Sequence, residues 1–430
     1  MNYHFNVTEL NKVIYQDYEI SMVLEKKGDT VMSERLLHTP EGVRDIYAAE
    51  CGTKSILESR LHHRLHLYGF RDIETPAFEF FDIFNKERGT VSSREMYKFF
   101  DRDGNTLVLR PDMTPPIARC TAKYYRDETL PVRFCYVGST FVNSSSYQGK
   151  LKEITQLGAE LINDSSVEAD AEMLALTVEC LLDAGLTKFQ VEVGQADFFR
   201  GLMEEAGIAQ EEAEELRILI ENKNMFGAEE IISEKSIPEG LKQLILQLPE
   251  LFGTLDKLLF VKKEITNKRA LAAIDRLERL YALLEEYGLG QYITFDLGML
   301  SKFNYYTGII FRAYTSGTGD AVATGGRYDS LVGQFGKDAP AIGMAVMMNQ
   351  LLLALARQKL LPVQEAENTL IVYQEKFRSQ AITMAKELRS QNKNVELYLE
   401  TEKEIDYSDY AARMGIGDII YFRESQMKVL

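Results

Sequence analysis

Strand-like segments stand on both sides of a long helical and acidic stretch in this chain. Before that stretch, strand patterns occur in FCYVGSTF (134–141), KEITQLGAELI (152–162) and KFQVEVG (188–194). After it, they return in YITFDLG (292–298), YYTGIIFRAY (305–314) and PAIGMAVMM (340–348). Such short apolar runs favour β-strands, whereas residues 197–288 favour helices. The order predicts an α+β fold in which one antiparallel sheet, flanked by helices, is interrupted by a helical insertion at about 197–288.

An amphipathic helix is predicted ahead of the first strands, over residues 49–67. Ile56, Leu61 and Leu65 share one helical face and predict the side that packs on the core. Gly69 follows as a C-cap, because glycine adopts the left-handed conformation that ends many helices.

The chain divides into a main domain and a small C-terminal domain. Residues 1–33 are polar and weakly patterned, which predicts a loosely ordered extension. One hypothesis is that translation starts at Met32, in which case residues 1–31 do not belong to the native protein. Residues 34–360 form the predicted main domain, and 361–368 (LPVQEAEN) form a linker. Residues 369–430 alternate strand and helix patterns and predict a short, truncated α/β unit.

Composition excludes several classes of protein. The formal net charge of −16 argues against a large polyanion such as tRNA as partner. No segment reaches the length of a signal peptide or a membrane span, so we expect a cytoplasmic protein without membrane contact. The four cysteines are scattered, and all five histidines precede residue 67. The sequence therefore predicts no disulfide framework, no metal centre and no cofactor.

Single motifs in the main domain carry little information on their own. TGGRYDSL (324–331) lacks the spacing of a phosphate loop, and most Gly-Gly-Arg segments are ordinary turns. Gln156 and Glu160 share one face of a strand, where a solvent-facing pair is the default interpretation. The aromatic run FNYYTGIIF (303–311) is by default sheet core. Their order along the chain is more specific than any one of them.

Five motifs in order resemble the catalytic domain of histidyl-tRNA synthetases. They are LRPDMT (109–114), QLGAE (156–160), YYTG (305–308), GGRYD (325–329) and a glycine-rich strand that enters a helix. The resemblance covers roughly residues 36–355. It implies a class II aminoacyl-tRNA synthetase-like antiparallel sheet flanked by helices, a pocket for ATP and histidine, and dimerisation through the first motif.

Three arginines of the synthetase pattern are absent. Val142 stands where an arginine would grip the α-phosphate, and Ser301 replaces the arginine that precedes the tyrosine motif. Gln350 replaces the arginine that would bind the outer phosphates. Adenylyl transfer depends on fixed positive charge, and each such contact supplies on the order of 2–4 kcal/mol to the transition state. The resemblance therefore implies a domain without synthetase activity and without catalytic residues.

The amino-acid side of the pocket is retained. By the resemblance, Glu87, Gln156 and Glu160 match positions that hold the amine and imidazole of histidine, and Tyr306 completes imidazole recognition. The remaining predicted pocket residues are Arg110, Thr114, Tyr305, Arg327 and Tyr328. One further departure is Gly89, which stands where the family has a threonine. Histidine is thus the expected ligand.

A synthetase-like domain with these losses and a shortened C-terminal unit resembles the regulatory subunit of short-form ATP phosphoribosyltransferase. The sequence LRPDMTPPIAR (109–119) is typical of that family. The resemblance implies a non-catalytic protein that is required by the catalytic subunit, assembles with it as a hetero-octamer, and mediates feedback by histidine in the first step of histidine biosynthesis. The alternatives are an active histidyl-tRNA synthetase and a stand-alone histidine sensor.

Overall fold

The structure is a computed structural model, and it describes residues 37–85, 91–144, 151–233, 235–300, 306–362, 368–401 and 405–424. The predicted N-terminal extension lies outside these residues. The described residues form two compact units, a larger one of residues 37–44 with 57–361 and a smaller one of residues 45–56 with 362–424.

The strands of the described residues are Arg71–Asp72 (β1), Phe78–Phe80 (β2), Lys98–Phe100 (β3), Thr106–Leu109 (β4), Val132–Phe141 (β5), Glu153–Ile162 (β6), Phe189–Gln195 (β7), Phe252–Gly253 (β8), Ile293–Asp296 (β9), Ile309–Thr315 (β10), Ala323–Arg327 (β11), Ala341–Met347 (β12), Asn368–Tyr373 (β13), Val395–Leu399 (β14) and Ile416–Phe422 (β15).

The α-helices of the same residues are Ala48–Leu67 (α1), Thr114–Tyr124 (α2), Val167–Asp183 (α3), Ala196–Ala206 (α4), Gln210–Glu221 (α5), Met225–Ser233 (α6), Glu239–Leu246 (α7), Leu255–Lys262 (α8), Lys268–Glu286 (α9), Met348–Gln358 (α10), Arg378–Ser390 (α11) and Ser408–Met414 (α12).

One nine-stranded sheet organises the larger unit. Its order is β1-β5-β6-β12-β11-β10-β7-β9-β8, so strands from before and after the helical stretch lie side by side. All neighbours are antiparallel except β1 with β5 and β7 with β9. The predicted α+β sheet with a helical insertion is confirmed, and the insertion comprises α4 to α9. It also contributes the short strand β8, which no sequence pattern had indicated.

The buried face of α1 differs from the predicted one by a single position. Leu57, Leu61 and Leu65 are fully buried, whereas Ile56 is only partly buried. The spacing i, i+4, i+8 keeps these leucines on one side of the helix, over the core cluster formed with β5, β6 and α3. Gly69 has φ +77° and ends the helix as predicted.

The smaller unit contains a parallel sheet in the order β14-β13-β15. Leu370 and Val372 face one buried cluster, and Ile371 between them faces the other with Ala381 and Ala385 of α11. Strand β13 is thus covered on both faces, as in a parallel α/β arrangement. None of the helices in the described part of the chain is long and apolar enough to cross a lipid bilayer.

Candidate functional site: an acidic cavity on the sheet

A small cavity of about 100 Å³ opens on one face of the nine-stranded sheet. Its floor is formed by β5, β6, β11 and β12, and its wall by the segment that leads into α2. The side chains and backbone that line it belong to Pro111, Asp112, Thr114, Tyr136, Gln156, Glu160, Tyr306, Thr324, Gly325, Gly326, Tyr328, Gly343, Met344, Ala345 and Met347. Gln156, Glu160, Thr114, Tyr306 and Tyr328 are therefore brought together as the sequence predicted.

Strand register explains why residues from distant motifs meet here. Glu160 lies opposite Gly343 of β12, which in turn lies opposite Gly326 of β11. Gln156 lies four residues earlier on β6, and side chains two or four positions apart in a strand point to the same face. The strand therefore presents both polar groups to the cavity, and the default interpretation of a solvent-facing pair is wrong for Glu160, which is 1% exposed.

Glu160 is the electrostatic centre of the cavity. Thr114 Oγ1 donates a 2.8 Å hydrogen bond to Glu160 Oε1, and the Tyr328 hydroxyl donates to Oε2. Burial raises the pKa of this carboxyl to about 8, and the nearby carboxyl of Asp112 contributes to the rise. The two hydrogen bonds lower the pKa but do not offset the effect of burial. The carboxyl is therefore largely protonated at neutral pH, and a cationic ligand would favour its ionised form.

Glycines make room for the polar side chains. A Cβ on Gly343 would overlap Glu160 Oε2, and a Cβ on Gly326 would lie 2.6 Å from the Tyr306 ring. These close approaches explain the glycine-rich sequences of β11 and β12, because any larger residue would occupy the space of Glu160 or Tyr306.

The tyrosines of the cavity are held as neutral phenols. Burial raises the pKa of both Tyr306 and Tyr136, and the carboxyl groups of Asp112 and Glu160 raise them further. A neutral phenol can donate one hydrogen bond and accept others. The main chain of Tyr306 is fixed from the helical insertion, because Arg200 of α4 donates a 2.9 Å hydrogen bond to its carbonyl oxygen.

Arg110, one of the two arginines predicted for the pocket, does not line it. Its Nη1 donates to the carbonyl oxygen of Thr75 at 2.6 Å, and its Nε donates to that of Ser139 at 2.8 Å. These bonds tie β5 to the segment after β1. The motif LRPDMT thus contributes Asp112 and Thr114 to the cavity, whereas its arginine braces the backbone around it.

Arg327 also lies outside the cavity. It is 2% exposed and forms an ion pair with Asp170 of α3, with Nη2 2.6 Å from Oδ1. Its Nη1 donates to the carbonyl oxygen of Asp164 at 2.8 Å. The side chain fastens β11 to the start of α3, so its part in the site is to hold Tyr328 in place.

Two of the three lost arginine positions lie in the described part of the chain. The main chain of Val142 donates to Lys152 O at 2.8 Å at the end of the β5–β6 pair, and its side chain carries no charge. The Gln350 amide on α10 lies 3.4 Å from Asp320. Ser301, together with the predicted pocket residues Glu87 and Tyr305, lies outside the described residues, so their places stay predictions.

The described residues that line the cavity include no lysine or arginine. One arginine on the same sheet face, Arg312 of β10, lies one strand further, opposite Thr324 and Glu192. Burial and the neighbouring Asp296 raise the pKa of Glu192, and the charge of Arg312 partly offsets this rise. Arg312 thus faces carboxylates of its own, although its charge also partly offsets the rise that burial causes in the pKa of Tyr306 in the cavity. The acidic groups at the cavity are Glu160 and Asp112.

Asp112, Tyr136 and Thr324 line the cavity although the sequence did not single them out. Asp112 lies inside the LRPDMT motif, so that motif was the available signal. Thr324 begins the segment TGGRYDSL, and Tyr136 is revealed by register alone, because it lies opposite Gly158 on the neighbouring strand.

The fold and the cavity define a histidyl-tRNA synthetase-like domain, and comparison with known proteins agrees. The profile of the histidyl-tRNA synthetase family matches residues 42–351. A structure from Bacillus halodurans C, described as an ATP phosphoribosyltransferase regulatory subunit/histidyl-tRNA synthetase, is 30% identical and superposes with a TM-score of 0.80, covering 90% of this chain and 98% of that one.

Two curated relatives carry only the first of these two descriptions, that of the regulatory subunit. An ATP phosphoribosyltransferase regulatory subunit from Acetivibrio thermocellus is 41% identical over 90% of this chain and 93% of its own length. One from Ruminiclostridium cellulolyticum is 39% identical over 92% and 94%. The chain belongs to the family of ATP phosphoribosyltransferase regulatory subunits, and its role is regulatory and not catalytic.

Proposed function

We propose that the chain regulates a short-form ATP phosphoribosyltransferase and that histidine, bound in the cavity, is the signal it transmits. The observation that supports this most directly is the buried Glu160, which faces a small cavity whose described lining includes no lysine or arginine. Such a cavity attracts an ammonium or imidazolium group, and it lacks the fixed cations that a triphosphate needs.

Histidine can be accommodated by the groups that remain available. Each oxygen of Glu160 accepts one hydrogen bond from the protein, and a carboxylate offers about four acceptor sites, so about two remain for a ligand. The amide of Gln156 and the phenol of Tyr306 supply neutral donors and acceptors beside it. Binding of an ammonium group would favour the loss of the proton from Glu160, and the resulting carboxylate would accept a charge-assisted hydrogen bond from the ammonium group.

The partner in this proposal is the short catalytic subunit of ATP phosphoribosyltransferase. The two chains assemble in the cytoplasm, as a hetero-octamer in which this chain dimerises through its synthetase-like unit. Histidine then inhibits because it binds the inactive assembly more tightly than the active one, with a coupling free energy on the order of 1–3 kcal/mol. The net charge of −16 supports the further proposal that tRNA is not a partner.

Titration calorimetry with L-histidine on the purified chain tests the ligand. We expect binding to the native chain and a loss of about 10- to 100-fold in Glu160→Gln, since one charge-assisted hydrogen bond is removed. Glu153→Gln is the matched control, because Glu153 is exposed on the same strand. Equal affinities for the native chain and Glu160→Gln would place the ligand outside this cavity.

Pull-down from the native cell tests the partner independently of the ligand. Recovery of a short ATP phosphoribosyltransferase with the chain supports the proposal. Its absence, together with histidine binding, would favour a stand-alone histidine sensor.

A further inference from the structure

Four side chains with metal-binding atoms converge at one edge of the nine-stranded sheet. They are His62, His66, Asp72 and Cys135, and their ligand atoms all lie within 4.8 Å of one another. None of them lines the cavity described above. The sequence predicted no metal centre, because all five histidines precede residue 67, but the fold brings two of them to a cysteine of β5.

Helix spacing and strand register together produce this cluster. His62 and His66 are four residues apart on α1, so they lie one above the other on the same side of the helix. Their ring centroids are 4.4 Å apart. Asp72 on β1 pairs directly with Cys135 on β5, so these two side chains lie next to each other on the sheet.

The distances between the ligand atoms are close to those of a tetrahedral site. Zinc–nitrogen and zinc–oxygen bonds of about 2.0–2.2 Å and zinc–sulfur bonds of about 2.3 Å place tetrahedral ligand atoms roughly 3.3–3.6 Å apart. Cys135 Sγ lies 3.4 Å from Asp72 Oδ1 and 3.9 Å from His62 Nε2. His66 Nε2 lies 3.1 Å from Asp72 Oδ1. Of these distances, the 2.5 Å contact between His62 Nε2 and Asp72 Oδ1 has to open by less than about 1 Å, and the 3.9 Å contact between Cys135 Sγ and His62 Nε2 has to shorten slightly.

Hydrogen bonding to Asp72 is the alternative explanation for this arrangement. His62, His66 and Cys135 all approach Oδ1 of Asp72, and His66 Nε2 is shared with Oδ2 at 3.2 Å. The side chain of Asp72 is 63% exposed, and exposed ion pairs contribute about 0–1 kcal/mol. A cation at the common centre would instead engage one atom of every group.

We propose that His62, His66, Asp72 and Cys135 bind one divalent transition metal ion of the zinc type. Two imidazoles, a thiolate and a carboxylate form a borderline-soft set that favours Zn²⁺ over Mg²⁺ or Ca²⁺, which prefer oxygen ligands. Cys135 binds as the thiolate and releases its proton to solvent. Four protein ligands complete a tetrahedral shell, so the ion is structural and fastens the two-residue edge strand β1 to α1.

Cobalt substitution tests this site on the full, untagged chain after treatment with a chelator. We expect one equivalent of Co²⁺ to give the visible bands of a tetrahedral ion and a sulfur-to-cobalt charge-transfer band. The charge-transfer band should disappear in Cys135→Ser. The affinity for Co²⁺ and Zn²⁺ should fall at least about 100-fold in His66→Ala, because losing a ligand exceeds the 10- to 100-fold effect of losing an outer partner.

Matched controls separate this site from adventitious binding. His63→Ala and Cys51→Ser remove an exposed histidine and an exposed cysteine outside the cluster and should leave the spectrum and the affinity unchanged. If Cys135→Ser does not fold, His66→Ala decides, since His66 is exposed. The proposal is overturned if no tetrahedral spectrum forms, if His66→Ala binds as the native chain does, or if the controls lose binding equally.

Discussion

Replacing Glu160 with glutamine should change how the stability of the protein depends on pH. In the folded chain burial raises the pKa of this carboxyl from 4.5 to about 8, whereas the unfolded chain ionises it near 4.5. Between these values the folded state holds a proton that the unfolded state has released, so the free energy of unfolding falls as pH rises. Glutamine keeps the shape of the side chain and cannot ionise.

The magnitude follows from the size of the shift. One pKa unit corresponds to about 1.4 kcal/mol, so this group costs the native protein on the order of 4 kcal/mol between pH 5 and pH 9. Glu160→Gln should therefore be close to the native protein in stability at pH 5, and more stable by a few kcal/mol at pH 9.

Urea titrations followed by circular dichroism at pH 5, 7 and 9 measure this difference. The comparison between native and variant removes the contributions of all other titrating groups, and Glu153→Gln, exposed on the same strand, should run parallel to the native curve. If the native protein and Glu160→Gln lose stability in parallel from pH 5 to pH 9, Glu160 is not held protonated, and the electrostatic account of the cavity is wrong.

Three further outcomes are expected. Gly343→Ala should abolish histidine binding in calorimetry with the fold retained, because the added Cβ would overlap Glu160 Oε2 and displace that carboxyl; unchanged binding would contradict the close approach. Arg327→Met should lower the free energy of unfolding by about 2–3 kcal/mol, because buried Asp170 loses its ion pair with Arg327 and keeps the one with Arg276, whereas Arg279→Met on the exposed surface should cost less than about 1 kcal/mol. The purified chain should show no histidine-dependent exchange of pyrophosphate into ATP, and robust exchange would show that fixed cations lie elsewhere in the site.

Most of the fold could be predicted because local signals agreed with the final packing. Gly69 has positive φ at the end of α1, where the sequence predicted a glycine C-cap, and the predicted strands around the helical insertion form the central sheet. The two-residue strands β1 and β8 are too short to give a periodic pattern. Their places depend on pairing with distant strands, which no local signal encodes.

The site was predictable in its composition and less so in its geometry. Thr114, Gln156 and Glu160, taken from separate motifs, meet in the structure, because Gln156 and Glu160 point to one face of β6 and Thr114 at the start of α2 donates a hydrogen bond to Glu160. The motifs did not predict the ion pair between Arg327 and Asp170, because it depends on where α3 packs against the sheet. The metal-binding cluster was missed for the same reason, because the register of β1 with β5 brings Asp72 beside Cys135.

Reconstitution with a short-form ATP phosphoribosyltransferase tests the central claim most directly. The rate of phosphoribosyl transfer is measured for the catalytic subunit alone, with this chain, and with this chain plus histidine. We expect the chain to raise the rate and histidine to lower it again, with inhibition lost when Gly343→Ala replaces the native chain. A rate that the chain leaves unchanged would contradict the regulatory role, and inhibition that persists with Gly343→Ala would contradict the cavity as the histidine site.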